Sequence, residues 1–447
     1  MSEPRPARPL SAPLRPSACP GFLRIVPALD GGICRIKLAG GVITAAQTNA
    51  VAGAAERYAN GVIEATNRGN LQIRGIGADQ QGLIATLLDA CLGPSNPASD
   101  DVRNLMLSPT AGVDPQQLFD TRPLASQILS SLENHPGFND LSPKFALSLD
   151  GGEGLVMLEH PHDLWLSAIE VDSQTLLAFG LAGCPANDSP VGAVPLNQAH
   201  ELVIAVLELF LESARPEHTR MRHLLAHIPV QAFIRQLSAR LAKPLRTDQA
   251  ITSWRRLPTA PGSHIGVYPQ AQAGQAAVSA GVPLGRLSPS MLRRAAHLAE
   301  QLGDGTLTMT PWQSLLLRNV ALEHAEAAID GLQDAGLIVG AEQPLAQMIA
   351  CTGSAGCAKG LADTKADGLK LASLLHASQS VHLTGCLRSC AAAHLAPVTL
   401  LAVSDGHYDL YFRHADQPGF GELRGRDLTI EAVGAQLNAG SRSNTDD

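Results

Sequence analysis

The chain repeats itself, and an internal repeat this long restricts the fold more than composition can. The stretch GVIEAT at 61–66 followed by LQIR at 71–74 lines up with GTLTMT at 305–310 followed by LLLR at 315–318, an offset of 244 residues. GVIT at 41–44 matches GRLS at 285–288 at the same offset, so two separate elements keep one register. Each copy reads as an apolar strand (22–27 and 265–269), a second strand, a small-residue turn, a helix and two alternating strands, which together make a βαβ-rich half-domain. The helices are expected at 47–60 and 289–302, where apolar residues recur at three- and four-residue spacing as one buried face requires. Ser288 before Pro289 fits an N-cap followed by proline in the first turn. Further amphipathic helices are expected at 202–213 and 230–241. Such a duplication predicts two similar lobes packed about a pseudo-twofold axis, with a site between them.

Charge and composition narrow what that site can do. A formal net charge of −8 argues against a nucleic-acid partner, which needs an excess of Lys and Arg along one face, so any bound anion must be gripped locally. No apolar run approaches the roughly 20 residues of a membrane span. Residues 1–20 are rich in Pro, Arg and Ser without the apolar core of a secretory signal, so a cytoplasmic protein is expected. Eight cysteines in 447 residues are too sparse for a disulfide scaffold, and four of them lie within 351–390, which points to a metal site in a reducing compartment.

Those four are Cys351-x5-Cys357 and, 28 residues on, Cys386-x3-Cys390. Two thiolate pairs suit either a tetrahedral zinc or an iron–sulfur cluster. Zinc knuckles use gaps of about two to four residues, so the first pair is spaced too widely. Gly353, Gly356, Gly360 and Gly385 leave room for a bulky cubane and let backbone N–H groups approach its sulfides. The site is therefore expected to hold one [4Fe–4S] cluster, while Cys19, Cys34, Cys91 and Cys184 lack such pairing. Aligning Ser108 with Cys351 also places Asp114 against Cys357, so the first copy has no thiolates to offer.

ACTGSAGCAKGLADT at 350–364 and TGCLRSC at 384–390 resemble the two cluster motifs of the sulfite and nitrite reductase family, and the resemblance covers nearly the whole chain. It implies an α/β (α+β) fold: duplicated ferredoxin-like half-domains at 18–90 and 250–325, plus two cluster-type α/β domains about the pseudo-twofold. Of these, 91–245 lacks cluster ligands and 326–440 carries the [4Fe–4S] site. In the reductases the last cysteine, matching Cys390, bridges the cluster to the iron of a sirohaem. Three basic positions also match the family: Arg35 in CRIK at 34–37, Arg68 in TNR at 66–68, and Arg103 in DVRN at 101–104. There guanidinium forks grip macrocycle carboxylates and substrate oxyanions.

One departure matters chemically. The family's Lys-x-Lys after a proline is PKFA at 143–146, so Lys144 is kept and the second lysine is replaced by Ala146. Reduction of sulfite or nitrite needs concentrated positive charge and proton donors at the oxyanion, and alanine supplies neither. Within the family the chain resembles the compact branch of aerobic cobalamin biosynthesis, where the tetrapyrrole, precorrin-3A, is substrate and not prosthetic group. That resemblance implies O₂ and reductant as co-substrates and a mononuclear non-haem iron. With no nucleotide-binding glycine loop in the sequence, NAD(P)H is expected to act through an electron-donor protein. Such iron commonly takes two His and one carboxylate, and the best local match is 159–163, with His160 and His162 on one face if extended. His376, His382 and His394 lie near the cysteines without a motif. A sirohaem-dependent reductase and a non-catalytic tetrapyrrole carrier are the alternatives.

Overall fold

The computed structural model describes residues 19–257, 262–392, 396–414 and 417–443. Residue 18, where the first half-domain was expected to begin, and His394 lie outside the described residues.

The strands of the described residues form four five-stranded sheets. In chain order, β1 (Val26–Ala28), β2 (Gly31–Ile36), β3 (Val42–Thr44), β4 (Val62–Ala65) and β5 (Leu71–Ile76) come from the first repeat, and β6 (Leu105–Leu107), β7 (Leu147–Asp150), β8 (His162–Val171), β9 (Gln174–Gly183) and β10 (Gly192–Pro195) follow it. The second repeat supplies β11 (Gly266–Pro269), β12 (Gln275–Gly281), β13 (Arg286–Leu287), β14 (Thr306–Met309) and β15 (Ser314–Ala321). Last come β16 (Met348–Ala350), β17 (Val381–Thr384), β18 (Val398–Ser404), β19 (His407–Phe412) and β20 (Glu422–Thr429).

The two repeat sheets exchange a strand. Their orders are β1-β2-β5-β4-β13 and β11-β12-β15-β14-β3, so each is completed by the other copy. Leu287 pairs with Ile63 and Leu307 with Ile43, two contacts related by the 244-residue offset, which is the pseudo-twofold written in register. The helices Ala45–Tyr58 and Pro289–Leu302 pack together, each capped by a hydroxyl at the end of the exchanged strand or just after it: Thr44 accepts from Gln47 N, and Ser288 from Met291 N. One hydrophobic cluster runs through both halves and includes Ile63, Ile73, Leu307 and Leu317, so the repeats share a single core.

The other two sheets have one topology. The orders β10-β9-β8-β7-β6 and β16-β17-β18-β19-β20 each contain three parallel strands continued by two antiparallel ones. β7 is buried throughout and β8 nearly so, as parallel strands covered on both faces must be. The helices Arg122–Asn134 and Thr364–Leu374 make the equivalent crossovers after β6 and β16.

Of the expected elements, Pro289–Leu302 matches residue for residue, and the 47–60 helix is Ala45–Tyr58. The 202–213 and 230–241 helices are Ala199–Ser213 and Val230–Ser238. The first strand departs: it is Val26–Ala28, because the Asp100 carboxylate takes the amides of Phe22 (3.1 and 2.9 Å) and Leu23 (2.9 Å) that a strand there would need. No described helix is long and apolar enough to cross a membrane.

Candidate active site

Parallel pairing of Met348–Ala350 with Val381–Leu383 brings the ends of β16 and β17 side by side, and the two cysteine pairs follow directly from those ends. The first loop folds on glycine. Gly353 sits at φ 67°, where a Cβ would come within 2.5 Å of Ala362 O, and its carbonyl accepts from Cys357 N at 2.9 Å. A Cβ on Gly360 would fall 2.5 Å from the Gly353 carbonyl carbon, so the loop closes on itself without side chains. All four cysteines line one cavity of about 640 Å³.

The donor set fits a cluster better than a single ion. Among the described residues no three His, Cys, Asp or Glu side chains converge as ligands of one metal ion, yet four thiols face a common space. Partial burial, then Cys386, Cys351 and Cys357, push the Cys390 thiol above its ordinary range, a crowding of sulfur that bound iron would relieve. Gly385 N already donates to Cys351 Sγ at 3.2 Å, and Thr364 Oγ1 donates to Cys351 O at 2.7 Å. Hydrogen bonds to cluster sulfurs are one means by which proteins tune such groups.

The basic residues expected at the site are only partly gathered there. Arg35 lines the cavity, and the Gln72 amide, turned so that its oxygen faces Arg35, accepts from Nη2 at 2.7 Å and Nε at 3.0 Å. Arg68 lies within electrostatic range of Arg35 and Arg220; burial first, then those two charges, bring its guanidinium down to about 10. Lys37 Nζ donates to Asp100 O at 2.7 Å, and burial holds it near 7. Arg103 is committed elsewhere: Nε pairs with Glu133 at 3.3 Å, Nη2 donates to Lys37 O at 2.8 Å, and both side chains line a separate cavity of about 130 Å³. Lys144 is exposed, whereas Ala146 is buried and donates its N–H to Asp163 Oδ2 at 2.9 Å.

Sequence reasoning missed Glu64, Arg74 and Lys365, which line the same cavity and bind one another across three elements. Their one sequence signal was the recurrence of Arg74 as Arg318 at the repeat offset.

The 159–163 segment is structural. His162 and His160 are buried, with Nδ1 of His162 hydrogen-bonded to His160 O at 2.8 Å, and burial then Arg68 lower the His162 imidazole to about 3, so it is neutral. Asp163 accepts from Ala146 N, from Arg220 Nε at 2.8 and 2.9 Å, and from Met221 N at 2.8 Å. With its carboxylate so engaged, the segment does not fit a mononuclear iron, and no other donor set among the described residues does. Asp163→Ala is therefore expected to cost about 3 kcal/mol in urea unfolding, by leaving Arg220 and two amides unpaired, without changing iron content.

Comparisons with known proteins agree with this architecture. Residues 27–91 and 268–335 match the nitrite/sulfite reductase ferredoxin-like half domain, and residues 98–245 match the nitrite and sulphite reductase 4Fe-4S domain. The latter match falls on the copy with Ser108 and Asp114, not on the copy with the cysteines; the two share one sheet topology, so that match reflects the shared fold. A ferredoxin–nitrite reductase of Zea mays is 30% identical over 394 residues, covering 81% of this chain and 68% of the relative. A precorrin-3B synthase of Sinorhizobium sp. is 27% identical over 402 residues, covering 89% of this chain and 83% of the relative. The structure of Mycobacterium tuberculosis NirA superposes with a TM-score of 0.74 at 21% identity, over 92% of this chain and 80% of that one. The chain belongs to the nitrite and sulfite reductase family. The relatives named here by activity are oxidoreductases, and the family's 4Fe-4S domain supports an iron–sulfur cluster in this chain.

Proposed function

We propose that this chain is a precorrin-3B synthase, an O₂-dependent monooxygenase that hydroxylates precorrin-3A at C20 with γ-lactone formation in aerobic cobalamin biosynthesis. One oxygen atom of O₂ enters the C20 hydroxyl and the other leaves as water, with two electrons and two protons drawn from reductant through an electron-donor protein. Cys351, Cys357, Cys386 and Cys390 hold a [4Fe–4S] cluster, which when bound supplies electrons one at a time. Arg35, within the cavity, and Arg68, beside it, are assigned to the substrate's carboxylates, whereas Arg103 and Lys144, expected there from the sequence, stand at a separate cavity and at the surface.

The observation that carries this reading is Ala146. A buried methyl stands where the reductases place a second lysine, and Arg103, which matches an anion-binding position, is neutralised by Glu133. A site without that lysine is less suited to concentrating charge on a small oxyanion, while cations along the cavity wall such as Arg35 can grip a large polycarboxylate at its edges. The chain spans 83% of the synthase it matches and about two thirds of the plant nitrite reductases. Those reductases, at up to 30% identity, favour the second reading, a sirohaem-dependent nitrite or sulfite reductase fed by ferredoxin.

Anaerobic purification with iron, sulfide and visible-spectrum analysis separates the two. The synthase is expected to carry about four iron and four sulfide per chain, with no sirohaem band, and to convert precorrin-3A only with O₂ and reductant. A sirohaem band with turnover of nitrite or sulfite would replace this reading by the second.

A further inference from the structure

Beneath the Cys351–Cys357 loop lies a buried charge network with one carboxylate at its centre. Glu64, on β4 with its side chain 12% exposed, accepts from Arg286 Nη2 at 3.2 Å and from Thr352 Oγ1 at 3.3 Å; Lys365 Nζ stands 3.8 Å away and Arg74 Nη1 4.0 Å. The two buried cations each hold the loop. Lys365 Nζ donates to Ala350 O at 3.1 Å, and Arg74 Nη2 donates to Gly356 O at 3.2 Å while pairing with Asp30. These carbonyls immediately precede Cys351 and Cys357, so Glu64 anchors the groups that fix both thiols of the first pair. Burial would raise the Glu64 carboxyl, but Lys365, Arg74 and Arg286 outweigh it and hold it below its ordinary range, so it is charged.

The repeat supplies an internal comparison. At the offset of 244, Arg74 corresponds to Arg318, Glu64 to Thr308 and Arg286 to Val42; in the alignment that sets Ser108 against Cys351, Lys365 corresponds to Arg122. Arg318 still donates to a loop carbonyl, Ala111 O, at 2.8 Å, so that bond belongs to the fold. Thr308 Oγ1 is buried without a hydrogen-bond partner, and Arg122 pairs with Asp120 at the surface. Among the described residues the carboxylate hub and two of its cations, Arg286 and Lys365, therefore meet only at the loop that carries the thiolates, with Glu64 contributed by the first copy and those two cations by the second.

We propose that Glu64 is a positioning residue that sets the redox potential of the cluster held by Cys351, Cys357, Cys386 and Cys390. This rests on the reading of those cysteines as [4Fe–4S] ligands. Three cations and the two carboxylates Glu64 and Asp30 leave the network one unit positive. Removing the Glu64 charge raises that to two, which favours the reduced cluster because it carries the extra electron. Little solvent screens the effect at this depth.

The test is an EPR-monitored redox titration of the full-length, cluster-loaded chain as wild type, Glu64→Gln and Arg286→Gln. Glu64→Gln is expected to move the midpoint to higher potential and Arg286→Gln to lower, with iron and sulfide content unchanged. The Arg286 shift should be the smaller, since that side chain is 37% exposed. Opposite signs support an electrostatic role, which mere loosening of the loop would not produce. Midpoints that stay fixed, or move in the same direction in both variants, overturn it. Should Glu64→Gln fail to load, Arg286→Gln decides alone: a lowered midpoint supports the proposal and an unchanged one overturns it. A wild-type chain without iron and sulfide overturns the cysteine reading itself, and this inference with it.

Discussion

Changing any one of Cys351, Cys357, Cys386 or Cys390 to serine is expected to strip the purified chain of its iron, sulfide and visible absorption, whereas Cys34→Ala should retain all three. The contrast follows from where the sulfurs stand. The four ligand candidates line one cavity at the ends of two adjacent parallel strands, with backbone N–H already directed at Cys351 Sγ. A serine hydroxyl in that place is neutral at pH 7 and a poor ligand for iron, so one missing thiolate opens a corner of the cubane to solvent. Cys34 is fully buried in the shared core, its thiol facing Phe22 O at 3.5 Å and pushed above its ordinary range by burial, then by Asp100. Losing it costs packing, about 1 kcal/mol, and nothing at the cluster. Iron and acid-labile sulfide assays on the five variants check this. A serine variant that keeps a full cluster would remove that cysteine from the ligand set.

Much of this arrangement was legible in the sequence because it is local or periodic. The 244-residue offset paired GVIT at 41–44 with GRLS at 285–288, and these are the two exchanged strands, β3 and β13. The exchange itself was not legible. A period of two identifies a strand and its buried face but not the sheet it joins, so the two half-domains were legible while the strand each lends the other and the single core they share were not. The cysteine pairs were readable from spacing and flanking glycine alone. Glu64 was not, since its partners Arg286, Thr352 and Lys365 lie more than 200 residues away in the chain. The same distance problem explains Phe22: its amide is claimed by Asp100, and no local window contains both. At 159–163 the residue types suggested metal and the surroundings removed it, because Arg220 and Met221 had already engaged Asp163.

The copy without cysteines must close the same loop with protein alone, and Glu153 is expected to be the residue that does so. The turn after β7 corresponds to the turn after β17 that leads into Cys386. Where Gly385 N donates to a cysteine sulfur, Gly151 N donates to Glu153 Oε2 at 2.6 Å, and Ser108, aligned with Cys351, donates to the same oxygen at 2.8 Å. Asp114, aligned with Cys357, accepts from Gly154 N at 3.0 Å, so both stand-ins grip this turn. Glu153 is fully buried; burial, then the neighbouring Asp150 carboxylate held by Arg256, push its carboxyl up to about 8. The folded chain therefore keeps a proton that the unfolded chain releases near pH 4.5. Stability from this group is complete below that pH and is lost as pH rises towards 8, with a slope of at most about 1.4 kcal/mol per pH unit. Glu153→Gln, a neutral isostere, should abolish the slope while preserving both accepted bonds. Glu153→Ala leaves Ser108 and Gly151 unpaired over a cavity and should cost about 3–5 kcal/mol. Urea unfolding of the three proteins at pH 5, 6.5 and 8 measures both effects. If the glutamine variant loses stability with pH as steeply as wild type, the buried proton lies on another group and Glu153 holds the turn as a charged residue.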